Sequence, residues 1–307
     1  MISEIAYKNR EEWLSLRKGY IGGSDAGAVI GLNPYKSAYT LWAEKTGKIP
    51  EFEGNLTTDV GSYLEEFIAK LFEKETGKKV RRKNRTLVND KYPFACADVD
   101  RVVVGENAVV EIKSTNSFPA MKKLKKGEYP EQWYCQGTHY NGVGEYDRVY
   151  LAVLINCREF KWFVLDRDDE EIAALMTEEE KFMKHVETET PPPVDGTVSS
   201  SDTLSTLYPE SNDETVNLFA YETDLQQYMA LTAQIKELEK MKDEAANRVK
   251  AFLGDAGKGT TDRYKVSWTS TTRSTFDSKR FAQEHQDIDM SGYYKTSTYR
   301  TFKVTEN

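Results

Sequence analysis

The residues best suited to hydrolytic chemistry lie between positions 98 and 113. Two valine-rich runs flank a three-residue Gly-containing turn there, which predicts a tight β-hairpin. Side chains alternate faces along a strand, so Glu111 and Lys113 project to the same side, and folding the hairpin brings Asp100 near them. Two carboxylates and an amine at one point suit hydrolysis of a phosphodiester, because Mg²⁺ binds carboxylate and phosphate oxygens while an amine orients water. An exposed strand end with a surface Glu–Lys pair would give the same pattern.

Composition predicts a globular chain that contains no membrane span. The 307 residues are 39% hydrophobic and 30% charged, without an apolar run of the length that a membrane helix requires. The first residues have neither the basic nor the apolar region of a signal peptide, so we expect none. Cys96, Cys135 and Cys157 are widely spaced and odd in number, so we expect no disulfide framework and no zinc or iron–sulfur site. We therefore expect a cytosolic, reduced protein. The net charge of −8 argues against a protein that only coats nucleic acid.

A second candidate site lies near the N-terminus. A short amphipathic helix is predicted over 11–18, with Arg17 near its end, and a Gly-Gly turn then leads into another helix at Ser24. The free amides and hydroxyl of a helix start can bind an anion, and an arginine adds a bidentate phosphate contact. The same residues would also form an ordinary Gly-rich helix cap.

Two predicted helices carry further polar candidates. The helix Leu56–Thr76 has an apolar stripe, with Glu65 at its edge and Glu66 pointing away. A carboxylate bordering an apolar face needs a partner or a metal. The helix that starts at Pro130 places Gln136 and His139 on one face, although such polar residues are usually structural.

The remaining pattern predicts a sheet, more helices and a distinct C-terminal part. Residues 38–46 and 168–187 read as helices, while 114–118 reads as a loop. Residues 85–88, 148–156 and 160–165 read as strands of the same region. Basic clusters at 78–85 and 122–126 fit either a solvated face or a phosphate track.

The residues after the triproline at 191–193 differ in composition from those before it. Residues 194–217 are rich in Ser, Thr and Asp and predict a linker, and a long helix then follows over Asp224–Leu253. Its apolar stripe could pack on its own domain or on another chain. Beyond it we expect strands at 263–269 and 296–304 and a short helix at 277–285. The interleaved basic and aromatic residues there could clamp a single strand or form an ordinary surface.

Four segments in one order resemble the YqaJ-like viral recombinases, a group of alkaline exonucleases of the lambda-exonuclease type within the PD-(D/E)xK nuclease superfamily. They span about residues 10–165 and read LRKGYIGGSDAGAVIGLNPY, GSYLEEFIAKLFEKETG, CADVDRVVVGENAVVEIKST and YPEQWYCQGTHYNGVG. The resemblance implies an α/β, restriction-endonuclease-like core with a central mixed β-sheet flanked by helices. A C-terminal long helix and a small α+β module would follow it.

The resemblance also assigns roles to the candidate residues. Asp100 and Glu111 would bind Mg²⁺ or Mn²⁺, and Glu65 would complete the metal site. Lys113 would position or activate the water, and Gln136 would lie against the scissile region. Arg17 and Ser24 match the positions that hold the 5′ phosphate in the family.

One departure concerns the aspartate. The family often has Pro or a small residue before it, whereas Val99 precedes Asp100 here, and Asp98 adds a carboxylate on the same strand face. We prefer Asp100 because the Arg101 that follows it and its spacing to Glu111 fit better, which leaves Asp98 as a supporting group.

The implied function is a metal-dependent 5′→3′ exonuclease on linear double-stranded DNA that leaves 3′ single-stranded tails for phage-type recombination. By resemblance it would form a trimeric ring and work beside a single-strand annealing protein in the cytoplasm of a bacterial host, with a phage or prophage origin. The predicted domains are an exonuclease domain at 1–195, a linker at 196–219 and a C-terminal module at 220–307 that would contact a partner, DNA or another subunit. A catalytically silent DNA-binding scaffold and an endonuclease on the same core are the alternatives.

Overall fold

A computed structural model describes residues 1–289 and 291–306, apart from the side chains of Arg10 and Leu14. Its contacts divide the chain into two units, Met1–Tyr208 and Pro209–Asn307. The strands of the first unit are β1 (Ile2–Ile5), β2 (Ile21–Gly22), β3 (Val80–Arg81), β4 (Thr86–Asn89), β5 (Tyr92–Ala97), β6 (Arg101–Val103), β7 (Ala108–Thr115), β8 (Arg148–Ile155) and β9 (Glu159–Asp166). Its helices are α1 (Arg10–Lys18), α2 (Gly23–Val29), α3 (Ala38–Lys45), α4 (Leu56–Thr76), α5 (Phe118–Lys125), α6 (Glu131–Val143), α7 (Asp169–Glu187) and α8 (Val198–Leu207).

A mixed five-stranded sheet in the order β3-β6-β7-β8-β9 forms the centre of the first unit. Strands β6 and β7 form the predicted antiparallel hairpin, and β7 then pairs in parallel with β8 along eight residue pairs. A parallel pair needs a long crossover, which α5 and α6 supply. Strand β8 is almost continuously apolar because both of its faces are covered.

Helices cover the two faces of this sheet. On one face, Ile68 and Phe72 of α4 pack against Val110 and Tyr150. On the other face, Tyr140 of α6 belongs to a core cluster that also contains Val149 and the α7 residue Ile172. The result is a three-layer α/β arrangement in which β7 is held between α4 and α6.

A second sheet has the strand order β1-β4-β5-β2, and all of its strands precede the β6–β7 hairpin in the sequence. Its strand β5 ends at Ala97, only a few residues before β6 begins. The sequence prediction did not include β1, β5 or α5, and it placed a loop at 114–118. Ser114 and Thr115 instead continue β7, because they pair with the last two residues of β8.

The predicted linker at 196–219 and domain end at 195 differ from the structure. Helix α8 forms within that segment, and the first unit continues to Tyr208. Thr197 caps the helix by accepting a hydrogen bond from the Ser200 amide, and Ser200 bonds the Ser37 hydroxyl at 2.9 Å. Two of its three apolar residues, Leu204 and Leu207, pack against the core cluster around Trp42, while Val198 is exposed, so polar contacts supply much of its packing.

The second unit is built on one long helix. Its elements are α9 (Glu222–Leu253), β10 (Lys258–Thr260), β11 (Lys265–Ser267) and α10 (Ser278–Glu284), with single 3₁₀ turns at Phe219–Tyr221 and Ser291–Tyr293. Strands β10 and β11 form a two-stranded hairpin. The predicted strand at 296–304 is wrong: the described residues from 294 to 306 form neither helix nor strand, and the Phe302 ring packs edge-on against Tyr228.

Candidate active site

The hairpin β6–β7 brings Asp100, Glu111 and Lys113 to one place. Asp100 immediately precedes β6, and its Oδ2 accepts a hydrogen bond from the Ile112 amide of β7 at 2.7 Å. Glu111 and Lys113 lie two residues apart on β7, and the Lys113 Nζ is 2.7 Å from Glu111 Oε1. The two carboxylates and the ammonium group therefore converge as the alternation along the strand predicts.

The two carboxylates are buried beside each other. Burial raises the pKa of Asp100 well above its usual value, and the neighbouring Glu111 charge raises it further. Glu111 is only 3% exposed, and its Oε2 atom has no hydrogen-bond partner among the described residues. Buried carboxylate oxygens are normally paired, so this oxygen points to a ligand that neutralises it.

This donor set fits a hard divalent cation. Mg²⁺ and Mn²⁺ prefer carboxylate oxygens and commonly take one or two carboxylates together with water and phosphate. Asp100 and Glu111 supply the two carboxylates, and the unpartnered Glu111 oxygen faces no competing protein donor. A bound cation would also relieve the like-charge repulsion that raises the Asp100 pKa.

Glu65 does not join these two carboxylates. Its side chain, like that of Glu66, forms an ion pair with the buried guanidinium of Arg101, the residue next to Asp100. No cluster of three His, Cys, Asp or Glu side chains among the described residues is arranged to hold a metal. The Glu65 charge nevertheless acts on Asp100, because it is one of the groups that raise the Asp100 pKa. Glu65 is therefore near the pair but is held by Arg101.

Gln136, a residue of helix α6, lies beside Lys113. The Lys113 Nζ donates to Gln136 Oε1 at 2.9 Å, and Gln136 Nε2 donates to the Tyr140 hydroxyl at 2.8 Å. Tyr140 in turn donates to the backbone carbonyl of Asp98 at 2.8 Å. Through Gln136, this chain of hydrogen bonds holds the Lys113 ammonium group in position.

Sequence reasoning did not identify Tyr140 or Arg101 as site residues. Tyr140 lies four residues after Gln136, so helical spacing places both on one face of α6. This spacing is the sequence feature that points to Tyr140 as a site residue. Arg101 lies within an apolar strand, and a buried arginine needs acidic partners. Asp98, the alternative to Asp100, accepts a hydrogen bond from the Thr86 hydroxyl at 2.6 Å.

Arg17 and Ser24 form one wall of a separate cavity of about 410 Å³ in the first unit. The Arg17 Nη2 donates to Ser24 Oγ at 2.8 Å, and the guanidinium lies 5.0 Å from the Trp13 ring centroid. A Cβ at position 22 would come within 2.7 Å of Arg17 Nη2, so Gly22 is needed to let the guanidinium approach the chain. The predicted pair is therefore brought together on the surface of a cavity.

The Arg17 end of this cavity has more cations than carboxylates. Arg17 and Lys45 share the buried carboxylate of Asp25, at 3.6 and 3.3 Å. Burial acts to raise the pKa of Asp25, but the Lys45 and Arg17 charges lower it to about 2. The lining as a whole is balanced, with three basic and three acidic side chains. The two cations around Asp25 therefore give only a local excess of positive charge, and it is this end of the cavity that suits a phosphate group.

Tyr140 connects this region to the carboxylate site. A Cβ at position 23 would come within 2.5 Å of the Tyr140 ring, so Gly23 allows the start of α2 to pack directly on α6. The same tyrosine holds Gln136 through its hydroxyl. One side chain thus contacts both the loop beside the Arg17 cavity and the partner of Lys113.

His139 has a structural environment. It is fully buried, its Nδ1 lies 2.9 Å from Glu179 Oε1, and its Nε2 lies 2.9 Å from the Cys96 carbonyl oxygen. Both ring nitrogens face acceptors, an arrangement that favours the protonated ring, and the Glu179 charge raises the pKa of His139. Both of its hydrogen-bonding positions are occupied by protein groups, which leaves none for a substrate.

Known proteins resemble this chain in both sequence and fold. A family model described as YqaJ-like viral recombinase domain matches residues 12–147. The uncharacterized protein YqaJ of Bacillus subtilis strain 168 is 35% identical over 314 residues, which cover 99% of this chain and 98% of the relative. The crystal structure of an alkaline exonuclease, LHK-Exo, from Laribacter hongkongensis aligns with a TM-score of 0.51 at 21% identity, covering 58% of this chain and 93% of that chain. The structure of LHK-Exo in complex with dAMP gives the same values.

These comparisons confirm the predicted resemblance and the predicted fold class. The alkaline exonuclease shares the fold over 58% of this chain, whose first unit is a mixed α/β core with helices on both sides of the sheet. No helix among the described residues is both long enough and apolar enough to cross a bilayer.

Proposed function

This chain belongs to the family of YqaJ-like viral recombinase domain proteins, and on that premise we propose that it is a metal-dependent deoxyribonuclease that digests linear double-stranded DNA from its 5′ ends. Digestion in that direction leaves 3′ single-stranded tails, which are the substrate for recombination by strand annealing. The observation that carries the proposal is the buried Asp100–Glu111 pair, with its unpartnered oxygen, next to the ammonium group of Lys113.

The chemistry follows from the positions of these groups. Asp100 and Glu111 would hold Mg²⁺ or Mn²⁺, which supplies charge to polarise the scissile phosphate and lowers the pKa of an attacking water. Lys113 has three N–H donors, of which two are directed at Glu111 and Gln136. The third has no partner among the described residues and would orient the water or stabilise the charge that develops on the phosphate. Gln136 keeps the ammonium group in that orientation.

The proposed polarity depends on the Arg17 cavity. An arginine and a hydroxyl side by side are suited to a terminal phosphate, which has two charges and several acceptor oxygens. Binding the 5′ phosphate there would hold the strand end in one orientation relative to the cleavage site. Glu65, if released from Arg101 when DNA binds, would be available as a third carboxylate.

The test of the activity is digestion of a linear duplex in Mg²⁺, with EDTA as the matched condition. Release of mononucleotides in Mg²⁺ and none in EDTA supports the proposal. Absence of digestion in both would instead indicate a catalytically silent scaffold. Cleavage of a closed circular duplex would indicate an endonuclease, since a circle has no end.

The test of the polarity compares duplexes that carry a 5′ phosphate or a 5′ hydroxyl, labelled separately on each strand. We expect the phosphorylated strand to be digested faster by the native chain, and Arg17→Ala to reduce that preference. Lys181→Ala is the matched control, because Lys181 is an exposed cation paired with Glu178 on α7. Equal rates on the two ends in the native chain would refute the assignment of the cavity. The trimeric ring and the annealing partner stay predictions from the family resemblance.

A further inference from the structure

Arg101 is a buried arginine next to the proposed metal ligand Asp100. It is the first residue of β6 and is only 3% exposed. Its Nη1 donates to Glu65 and, at 2.6 Å, to the backbone carbonyl oxygen of Asp100, while its Nη2 donates to Glu66 Oε2 at 3.2 Å. A buried guanidinium needs such acceptors, so each of these contacts restricts where the group can lie. The guanidinium therefore joins Asp100 to helix α4.

Arg101 reaches Asp100 from the opposite face of the sheet to Glu111. Side chains alternate along a strand, and Val103 belongs to the core cluster that α4 forms with the sheet, so Arg101 also faces α4. On β7, Val110 belongs to that same cluster, so Glu111 projects to the other face. The guanidinium thus acts on Asp100 through the main chain, from behind the two carboxylates. Its place suits the positioning of a metal ligand and not contact with the cation itself.

Asp100 depends on these contacts because it lies just outside β6. The hairpin ladder begins at the pair of Arg101 with Val110, so Asp100 is not paired with a residue of β7 in that ladder. Its carboxylate instead accepts a hydrogen bond from the Ile112 amide at 2.7 Å, and its carbonyl oxygen accepts one from Arg101 Nη1 at 2.6 Å. The first bond fixes the side chain, and the second fixes the backbone that carries it.

The two glutamates of α4 keep the guanidinium in this position. Glu66 is anchored from its other side, because Arg82 Nη2 lies 3.3 Å from its Oε2 and Lys70 Nζ lies 3.9 Å from its Oε1. Both glutamate side chains are partly exposed, at 30% for Glu65 and 53% for Glu66, so water also stabilises their charges. A planar guanidinium can serve two carboxylates and a carbonyl at once, whereas the single nitrogen of a lysine cannot reproduce that geometry.

We propose that Arg101 is a positioning residue of the metal site: held by Glu65 and Glu66, its guanidinium fixes the main chain of Asp100 and so sets the affinity of the Asp100–Glu111 pair for a divalent cation. The inference rests on the proposed function, because it takes that pair to be the cation site. It gives Glu66 a part in cation binding, and in the DNA-free protein it makes Glu65 act through Arg101. Groups that orient a metal ligand from outside commonly change metal affinity by about 10–100-fold.

Isothermal titration of the DNA-free full chain with Mn²⁺, after EDTA treatment and dialysis, tests the proposal. Arg101→Lys keeps the charge but loses the planar fork, so we expect about 10–100-fold weaker Mn²⁺ binding. Arg101→Met tests the sign of the effect. Removing a positive charge near the site should by itself strengthen Mn²⁺ binding, whereas loss of the Asp100 position should weaken it. We expect weaker binding in both variants, with circular dichroism and thermal unfolding in EDTA showing that folded proteins are compared.

Glu66→Gln removes one support of the guanidinium without touching either metal ligand. Because Glu66 is more than half exposed, the variant should unfold close to the native midpoint in EDTA. It should nevertheless bind Mn²⁺ about two- to fivefold more weakly. In an Arg101→Met background the same substitution should have no further effect, whereas an effect of long-range charge alone would persist there. Glu180→Gln is the matched control, because Glu180 is similarly exposed and pairs with Lys184 four residues later, as Glu66 does with Lys70.

The outcomes separate this inference from the proposed function. If the native chain binds no Mn²⁺, the metal site itself is refuted and the inference with it. If the native chain binds Mn²⁺ and the folded Arg101 variants bind it as tightly or more tightly, the inference alone is overturned. It is also overturned if Glu66→Gln weakens binding equally in the native and Arg101→Met backgrounds. Should the Arg101 variants not fold, Glu66→Gln decides on its own, and native Mn²⁺ affinity in that variant overturns the inference.

Discussion

Replacing Asp100 with Asn should stabilise the metal-free protein while removing its response to Mg²⁺. In the native chain, burial and the Glu111 carboxylate both raise the pKa of Asp100, so the ionised form of this residue is costly without a cation. Asn removes the charge and keeps an oxygen that accepts the hydrogen bond from the Ile112 amide. The substitution therefore removes repulsion and retains the local backbone contact.

The expected magnitude is modest but measurable. Relieving an unfavourable functional site commonly adds about 1 kcal/mol to the free energy of unfolding. For a unit of roughly 200 residues that corresponds to a rise of about 2–4 °C in the unfolding midpoint. Adding Mg²⁺ at about 100 times its Kd stabilises the native protein by about 2.7 kcal/mol, and the variant should gain little of this. The order of stability of the two proteins should therefore reverse between EDTA and Mg²⁺.

The assay is thermal unfolding of the full chain in EDTA and across a Mg²⁺ titration. Asp98→Asn is the matched control, because Asp98 bonds to the Thr86 hydroxyl and lies two positions away on the same segment. It should respond to Mg²⁺ as the native chain does. If Asp100→Asn is less stable than the native chain in EDTA, or if it keeps the full response to Mg²⁺, the assignment of Asp100 as a metal ligand is refuted.

Three further outcomes follow from the contacts of α6 and β7. Lys113→Ala should lower the cleavage rate by about 10²–10⁴-fold while DNA affinity in EDTA is retained; full activity would remove the lysine from the mechanism. Tyr140→Phe leaves Gln136 Nε2 without its acceptor, so we expect a loss of about 1–3 kcal/mol in unfolding free energy and a lower kcat, with little change in KM. Burial lowers the pKa of His139, but the Glu179 charge outweighs it and the net pKa is above 6.5. The stabilisation from this pair is thus complete below pH 6.5 and is lost as the pH rises through the folded-state pKa of His139. Glu179→Gln should flatten this dependence of the unfolding free energy on pH. It should also lower that free energy by about 3–5 kcal/mol, measured by chemical denaturation.

The convergence of Asp100, Glu111 and Lys113 could be predicted from the sequence because it is local. Asp100, Glu111 and Lys113 belong to one hairpin, and the period of two in a strand fixes which of them share a face. Their convergence needs no knowledge of the distant parts of the chain. Helix α4 is predicted by its regular apolar period, and strands β8 and β9 are predicted because each is a short apolar run rich in aromatic and β-branched residues.

Elements without a regular apolar period are the ones that sequence analysis placed wrongly or did not identify. Helix α8 is rich in hydroxyl side chains, and its position depends on hydrogen bonds to Ser37 and Thr40, which lie about 160 residues earlier in the chain. Strand β5 contains a proline and follows a turn. The contact between Glu65 and Arg101 likewise joins two separate elements, so the helical wheel located Glu65 at the edge of the stripe but gave no sign of its partner.

Helix α6 shows why polar residues on a buried helix are hard to assign from sequence. From Cys135 to Val143 every residue is buried, because Gly137 approaches Leu165 on one side and Gly142 approaches Ile172 on another. A helix covered all round has no polar face, so each polar side chain must find a partner whatever its role. The partners then separate the roles: His139 has protein acceptors at both ring nitrogens, whereas Gln136 bonds Lys113, a group with a donor still free. A site residue on such a helix is identified by a partner that can still bind substrate, and that information lies in the three-dimensional contacts.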